Sequence, residues 1–169
     1  MVRVGILMGS DSDWPKIKGA AEALAEFGVE YEVHVMSAHR TPHAVAEYAT
    51  SAAERGLQTI IAAAGGSAHL AGVVAAHTTL PVIGLPVPTA ELGGLDSLLS
   101  IVQMPGDVPV ACVAVGMGGP RNAGLLAVQI LATADGDLRQ RLVAFKRQLA
   151  DQIAAKDAAL QASLRGPAS

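Results

Sequence analysis

Short apolar runs alternate with amphipathic segments along most of the chain. Four apolar runs and one alternating run predict five strands, at residues 2–8, 30–36, 58–64, 81–85 and 109–115. Helical patterns predict helices at about residues 15–27, 42–56, 68–77, 95–102, 122–134 and 137–160. Alternating strands and helices with mostly apolar strands predict an α/β fold, a doubly wound parallel sheet covered on both faces and followed by a long C-terminal helix.

The length of 169 residues predicts one domain, at residues 1–162, with a disordered tail at 163–169. The most membrane-like stretch, Ile60 to Ala76, is shorter than the roughly 20 apolar residues that a span needs, and it contains Gly65, Gly66, Ser67 and His69. The N-terminus resembles a strand and not a signal peptide. We therefore expect a soluble, cytoplasmic protein without membrane contact.

Composition indicates self-association. Hydrophobic residues make up 51% of the chain and charged residues 16%, below the typical value of about 25%. Too few charges are available to cover a small monomer, so we expect a homo-oligomer. The net charge is −3, and Arg121 is the sole Lys or Arg from residue 56 to residue 138, which argues against nucleic-acid binding. The single Cys112 is expected to be a buried, inert thiol.

Polar segments follow the predicted strands, where ligands bind in such sheets. The first is Gly9-Ser10-Asp11-Ser12-Asp13, at the start of a helix whose free N–H groups suit a phosphate. Hydroxyls of Ser10 and Ser12 add donors, while at least one carboxylate should face a sugar hydroxyl or cap the helix. The alternative is a capping turn without a ligand.

The second segment is Ser37-Ala38-His39-Arg40-Thr41-Pro42. Arg40 suits a phosphate because its guanidinium makes several charged hydrogen bonds, and His39 suits proton transfer near neutral pH. A solvated surface turn is the alternative. His39 and His43 have the spacing of a helical metal pair, but Pro42 starts the helix after His39, so no metal site is predicted.

The third segment is Gly65-Gly66-Ser67-Ala68-His69-Leu70-Ala71-Gly72, in which glycines allow close approach of a ligand. On pattern alone, a histidine at position 69 is more often structural than catalytic, and His34 and His77 are still more strongly expected to be structural. The apolar segment from Leu92 to Pro105 predicts a helix packed on the sheet or across a subunit contact.

These segments together resemble the N5-carboxyaminoimidazole ribonucleotide mutase family. The similar motifs, in the same order, are Gly-Ser-x-Ser-Asp-Trp, Ser-Ala-His-Arg-Thr-Pro, Gly-Gly-x-Ala-His-Leu, Gly-x-Asp-Ser-Leu-x-Ser-Ile-Val-Gln-Met-Pro and the stretch 122–131. The resemblance covers residues 2 to about 150. It implies a flavodoxin-like, three-layer domain, assembled as an octamer, without metal or organic cofactor.

The resemblance also implies roles for individual residues. His39 matches the catalytic histidine, and His69 matches a second histidine near the imidazole. Ser10, Asp13 and Arg40 match nucleotide-binding positions. The full set of predicted substrate-binding residues is Ser10, Ser12, Asp13, Ser37, Arg40, Gly65, Gly66, Ser67 and Leu70. Ala71 departs from the proline usual in the family, which affects the expected rigidity of the turn.

The implied reaction is decarboxylation of a phosphorylated imidazole nucleotide followed by recarboxylation at a ring carbon. His39 would serve as acid in the first half and as base in the second. Two alternatives stay open: the related carboxylase that uses free carbon dioxide, and a non-catalytic nucleotide-binding module. The intact His39 and Arg40 argue against the second alternative.

Overall fold

The computed structural model describes residues 1–165, which contain five strands and seven α-helices. The strands are β1 (Val4–Met8), β2 (Tyr31–Val35), β3 (Thr59–Ala64), β4 (Val82–Pro86) and β5 (Ala111–Cys112). The helices are α1 (Trp14–Ile17), α2 (Gly19–Glu26), α3 (Pro42–Ser51), α4 (Leu70–His77), α5 (Leu95–Val102), α6 (Gly119–Ala132) and α7 (Gly136–Leu164). A 3₁₀ turn, Asp11–Asp13, precedes α1.

The strands form a parallel sheet in the order β2-β1-β3-β4-β5. This is the flavodoxin-like order, so the predicted fold is confirmed. Every residue of β1, β3 and β4 is buried, as expected for strands covered on both faces. The chain adds strands in one direction from β1 to β2 and in the opposite direction from β1 to β3. In sheets of this kind, a ligand binds in the crevice at that point, beyond the carboxyl ends of β1 and β3.

Several predicted bounds are wrong. β5 pairs only through Ala111 and Cys112, because it is an edge strand and the preceding Pro109 has no N–H to donate. Cys112 is half-buried and not fully buried, although burial still raises the pKa of its thiol. α6 begins at Gly119 and not at residue 122, since Pro120 fits the first turn of a helix.

The edge strand β2 is joined to α3 by a polar cluster. The carboxylate of Glu32 accepts hydrogen bonds from the Tyr48 hydroxyl at 2.6 Å and from Arg55 at 2.7 Å. The Arg55 guanidinium also lies 4.5 Å from the centre of the Tyr48 ring. Burial and the bond to Glu32 raise the pKa of Tyr48, so this hydroxyl stays a donor. The cluster therefore fixes the two elements that flank the second polar loop.

The chain forms two compact units, Met1–Leu131 and a second that begins at Ala132 and contains α7. The Asp135 carboxylate caps α7 by accepting from the Leu138 N–H at 3.1 Å. α7 continues to Leu164, within the predicted tail, and residues 166–169 lie outside the described part. The predicted single domain over residues 1–162 stays a prediction. Within residues 1–165, no helix has both the length and the apolar character that crossing a membrane would require.

Candidate active site

A cleft of about 600 Å³ lies at the carboxyl edge of the sheet within the first unit. Loops that follow β1, β2, β3 and β4 surround it. The lining residues are Gly9, Ser10, Asp13, Lys16, Ser37, Ala38, His39, Arg40, Ala64, Gly65, Ala68, His69, Leu70 and residues 87–91. The three polar segments singled out by sequence therefore meet at one site, as expected for loops that follow the carboxyl ends of parallel strands.

The loop after β2 is held by its own hydroxyls. Ser37 Oγ accepts from the backbone N–H groups of His39 and Arg40, each at 3.3 Å. Thr41 Oγ1 accepts from the Ser37 N–H at 2.9 Å and donates to the Ser37 carbonyl at 3.2 Å. Thr41 precedes α3, but its hydroxyl makes no capping bond to the helix because it is bonded to Ser37. The loop thus has a defined shape before any ligand binds.

Arg40 joins the loops after β2 and β1. Its guanidinium donates a hydrogen bond to the carbonyl of Gly9. A guanidinium has five N–H donors, so most of its bonding capacity stays available for an anion. This bond fixes the charge at the rim of the cleft, between the two strands where the predicted phosphate site lies.

The loop after β1 contains a pair of hydroxyls. Ser10 Oγ and Ser12 Oγ are 2.8 Å apart, and Ser10 also accepts from the Ser12 N–H at 3.3 Å. Ser10 lines the cleft, whereas Ser12 is exposed, is not part of the lining and bonds to Ser10. The role predicted for Ser12 in substrate binding stays a prediction.

Asp13 lines the cleft and makes no side-chain capping bond to the helix it precedes. Burial raises the pKa of its carboxyl, and the charge of Lys16 opposes that shift without cancelling it. Of the two roles that sequence left open for this carboxylate, capping is excluded. A half-buried carboxylate that faces a cleft can accept hydrogen bonds from hydroxyl groups of a ligand.

His39 and His69 are in direct contact in the cleft. His39 Nε2 lies 2.7 Å from His69 Nδ1, and the two rings meet edge to face with centroids 4.8 Å apart. At this distance one ring nitrogen donates its N–H and the other accepts it, so the two rings are hydrogen-bonded. The structure thus places the two predicted catalytic histidines where either could pass a proton to a bound molecule.

The turn after β3 carries His69 into α4. Gly66 has φ of +68° and Ala68 has φ of +41°, so two of three consecutive residues are left-handed. Gly65 and Leu70 line the cleft with His69. Gly66 and Ser67 do not line it: the Gly66 N–H donates to Ser97 Oγ at 3.0 Å, and Ser67 is exposed. These two predicted site residues lie in the turn and outside the cleft lining.

The loop after β4 contributes to the cleft, although no residue of it was predicted from the sequence. Residues 87–91 line the cleft, and Lys16 Nζ reaches across it to donate to the Pro88 carbonyl at 3.3 Å. Thr89 donates to the Asp96 carboxylate at 3.0 Å, which ties this loop to α5. The available signal was its position after a buried strand, since every such loop reaches the same edge of the sheet.

The floor of the cleft is made of small apolar side chains. Ala64, Ala68 and Val87 are almost fully buried and line it. Among the described residues, no group of three or more His, Cys, Asp or Glu side chains is placed to hold a metal ion. The site thus combines two hydrogen-bonded histidines and a guanidinium with an apolar floor, an arrangement suited to acid–base chemistry on an anionic substrate.

The sequence model of the AIR carboxylase family matches residues 3–152. The chain belongs to the AIR carboxylase family. The resemblance inferred from five motifs is thereby confirmed, and the family match spans every loop of the cleft.

Relatives of this AIR carboxylase family member extend the comparison. The N5-carboxyaminoimidazole ribonucleotide mutase of Mycobacterium tuberculosis is 65% identical over 159 residues, covering 94% of this chain and 90% of the relative. The protein of the same name from Bacillus subtilis is 60% identical over 139 residues, covering 82% and 86%. The crystal structure of Treponema denticola PurE superimposes with a TM-score of 0.85 at 31% identity, covering 95% and 99%.

Proposed function

We propose that this chain is an isomerase of de novo purine biosynthesis that converts N5-carboxyaminoimidazole ribonucleotide to 4-carboxy-5-aminoimidazole ribonucleotide. The contact of 2.7 Å between His39 and His69, inside the carboxyl-edge cleft, carries the proposal. Relatives that cover most of the chain bear the name of this activity. The reaction needs one proton donor that becomes a proton acceptor, which this pair supplies.

The nucleotide would bind with its phosphate against Arg40 and the Ser10 and Ser37 hydroxyls. Ser37 Oγ already accepts two backbone hydrogen bonds, which leaves its own hydrogen to donate to a phosphate oxygen. Ser12 would support Ser10. Asp13 would accept from the ribose hydroxyls, because a carboxylate is repelled by a phosphate and attracts hydroxyl groups.

The imidazole ring would lie over the turn after β3. Gly65 and Leu70 line this part of the cleft beside His69. Gly66 and Ser67 would contribute through the shape of the turn. The floor formed by Ala64, Ala68 and Val87 gives carbon dioxide an apolar surface, and exclusion of water disfavours its loss.

The mechanism conserves protons and needs no external carboxyl donor. In the first half, His39 donates a proton to the exocyclic nitrogen as its bond to the carboxylate carbon breaks and carbon dioxide forms. In the second half, the ring carbon C4 attacks the trapped carbon dioxide. His39, now neutral, removes the C4 proton and returns to its starting state. His69, in contact with His39, would orient the ring and share the proton.

A turnover assay tests the proposal against both alternatives. The purified chain is given N5-carboxyaminoimidazole ribonucleotide without ATP, in buffer that contains isotopically labelled bicarbonate. Conversion to a carbon-carboxylated product that carries no label is expected. Turnover only with the uncarboxylated nucleotide and carbon dioxide would assign the chain to the carboxylase alternative. Nucleotide binding without either reaction would instead indicate the non-catalytic module.

We also propose a homo-oligomer, an octamer as the family resemblance implies. One surface that could form a subunit contact lies on α5 and just before it. Its large apolar side chains are at least half exposed and follow one another at spacings of three, four and three residues: Leu92, Leu95, Leu99 and Val102. On α7, Leu149, Ile153, Leu160 and Leu164 are also exposed. Of the predicted α7 stripe, Leu138 is buried and Leu142 and Phe145 are partly buried, so its exposed part begins at Leu149.

Light scattering separates the two surfaces. We expect the intact chain to be a large oligomer, and a monodisperse monomer would contradict the proposal. A chain truncated after Asp135 tests α7, whereas the double variant Leu95→Lys and Leu99→Lys tests α5. We further propose a cytoplasmic location, because a phosphorylated nucleotide does not cross membranes unaided and is processed where it is made; cell fractionation checks it.

A further inference from the structure

The helix α5 has an unusual distribution of polar residues. Ser97 is fully buried, and Asp96 and Ser100 are partly buried, whereas Leu95 and Leu99 are at least half exposed. A helix on the surface of a sheet normally buries its apolar stripe and exposes its polar face. Polar side chains on the inner face therefore require partners there, because a buried hydroxyl without a hydrogen bond is destabilising.

Ser97 finds its partners in two different strand-end loops. Its Oγ donates to the carbonyl of Val87, after β4, at 2.7 Å. The same atom accepts from the N–H of Gly66, after β3, at 3.0 Å. One hydroxyl thus links the floor of the cleft to the turn that carries His69. Water cannot replace it easily, since Ser97 has no exposed surface.

The turn after β3 needs such an anchor. Ala68 has φ of +41°, a left-handed conformation that side-chain-bearing residues avoid, and Gly66 is also left-handed. Strained residues persist only where the surroundings hold them. The contacts that hold this turn include the burial of Ala68, the bond from Ala68 N–H to the Gly65 carbonyl at 3.3 Å, and the contacts of α5 with Gly66.

We propose that Ser97 is a positioning residue, which sets the turn so that His69 meets His39 at hydrogen-bond distance. The phosphate and ribose groups of the substrate would bind to the loops after β1 and β2, which Ser97 does not touch. The imidazole ring is the one part of the substrate that would contact this turn. Loss of the hydroxyl therefore lowers kcat and changes KM little, because most binding contacts lie in the other two loops. This inference rests on the proposed function only for its kinetic part; the geometry of the histidine pair is measurable without substrate.

Ser100 provides the matched control. It lies on the same helix, and its Oγ donates to the Gly66 carbonyl at 3.4 Å, a longer bond than either bond of Ser97. We expect Ser97→Ala to lower kcat about 10- to 100-fold with less than a threefold change in KM, as loss of a buried hydrogen-bonding group does. Ser100→Ala should change kcat less than threefold. Ser97→Cys keeps a weak hydrogen-bond donor and acceptor, so its kcat should lie between those of Ser97→Ala and wild type. This variant replaces Ser97→Ala as the test if the alanine variant does not fold.

Two substrate-free measurements accompany the kinetics. In Ser97→Ala, hydrogen exchange at the Gly66 amide should accelerate at least tenfold more than in Ser100→Ala, and the NMR signals of the His39 and His69 rings should shift. Unchanged ring signals or wild-type kcat in folded Ser97→Ala would overturn the proposal. Shifted ring signals in a protein whose wild type has no isomerase activity would support positioning and contradict only the proposed function.

Discussion

Two loops deliver a histidine to the same point by different means. The loop that carries His39 is held by bonds within residues 37–41, made by the hydroxyls of Ser37 and Thr41. The turn that carries His69 is held by Ser97, which lies 31 residues beyond Gly66 in sequence. Apart from the Arg40 bond to the Gly9 carbonyl, the first loop is organised by its own hydroxyls, whereas the second depends on a distant helix, so the two should respond differently to substitution.

The largest expected effect comes from removing the proton-transfer group of the local loop. His39→Asn should lower kcat by about 10²–10⁴-fold, because an amide cannot donate and then accept a proton. Nucleotide binding, followed by the fluorescence of Trp14, the only tryptophan of the chain, should persist. A loss of less than tenfold in kcat would contradict the assignment of His39 as the shuttle.

Arg40→Lys tests whether the local loop also binds the phosphate. Lysine keeps the positive charge but lacks the planar guanidinium, whose several N–H groups let arginine bond the Gly9 carbonyl and an anion at the same time. We expect kcat/KM to fall roughly 10- to 100-fold, mainly through KM, as loss of a charged hydrogen bond does. Steady-state kinetics measure the effect, and Lys18→Arg serves as the control because Lys18 is exposed and lies outside the cleft. Equal KM values for Arg40→Lys and wild type would contradict a phosphate contact of Arg40.

Asp13 adds a pH dependence to the side of the cleft that binds the nucleotide. Because burial raises the pKa of its carboxyl, Asp13 takes up a proton at a higher pH than an ordinary aspartate. The protonated form is a poorer acceptor for ribose hydroxyls, so affinity should fall as pH drops through that raised value.

Calorimetric titration of the nucleotide at several pH values measures this effect. Asp13→Asn should bind about tenfold more weakly at neutral pH. It should retain only the pH dependence that comes from the substrate phosphate. Asp11→Asn is the control, since Asp11 does not line the cleft. The same pH dependence in Asp13→Asn and wild type would contradict the ribose contact.

The smallest effect concerns the backbone of the tertiary turn. A Cβ at Gly66 would meet no atom within 4 Å, so Gly66→Ala tests the left-handed φ of +68° alone. We expect about 1–2 kcal/mol lower free energy of unfolding, measured with urea. Gly136→Ala, also with open space but without positive φ, should be neutral or slightly stabilising. Equal stability of both variants would mean that the turn is not strained.

The same contrast explains what sequence could predict. Four apolar runs and one alternating run located the strands of the sheet, and α5 matches its predicted bounds at residues 95–102. The loop of His39 was recognisable because Ser, His, Arg, Thr and Pro stand together. The role of Ser97 was not, since hydrogen bonding between distant segments leaves no local pattern. The loop of Thr89 was not predicted for a similar reason: it has no local cluster of chemically reactive side chains, although its position after β4 brings it to the cleft.

The burial of Ser97 has a consequence for stabilising this fold by design. A common strategy replaces buried polar residues with apolar ones of similar size, and a fully buried serine on a helix that packs on a sheet would be an early choice. Valine or alanine at this position would increase the apolar character of the interior and leave the Gly66 N–H and the Val87 carbonyl each one bond short. A design protocol that scores burial alone would therefore select against the geometry of the histidine pair.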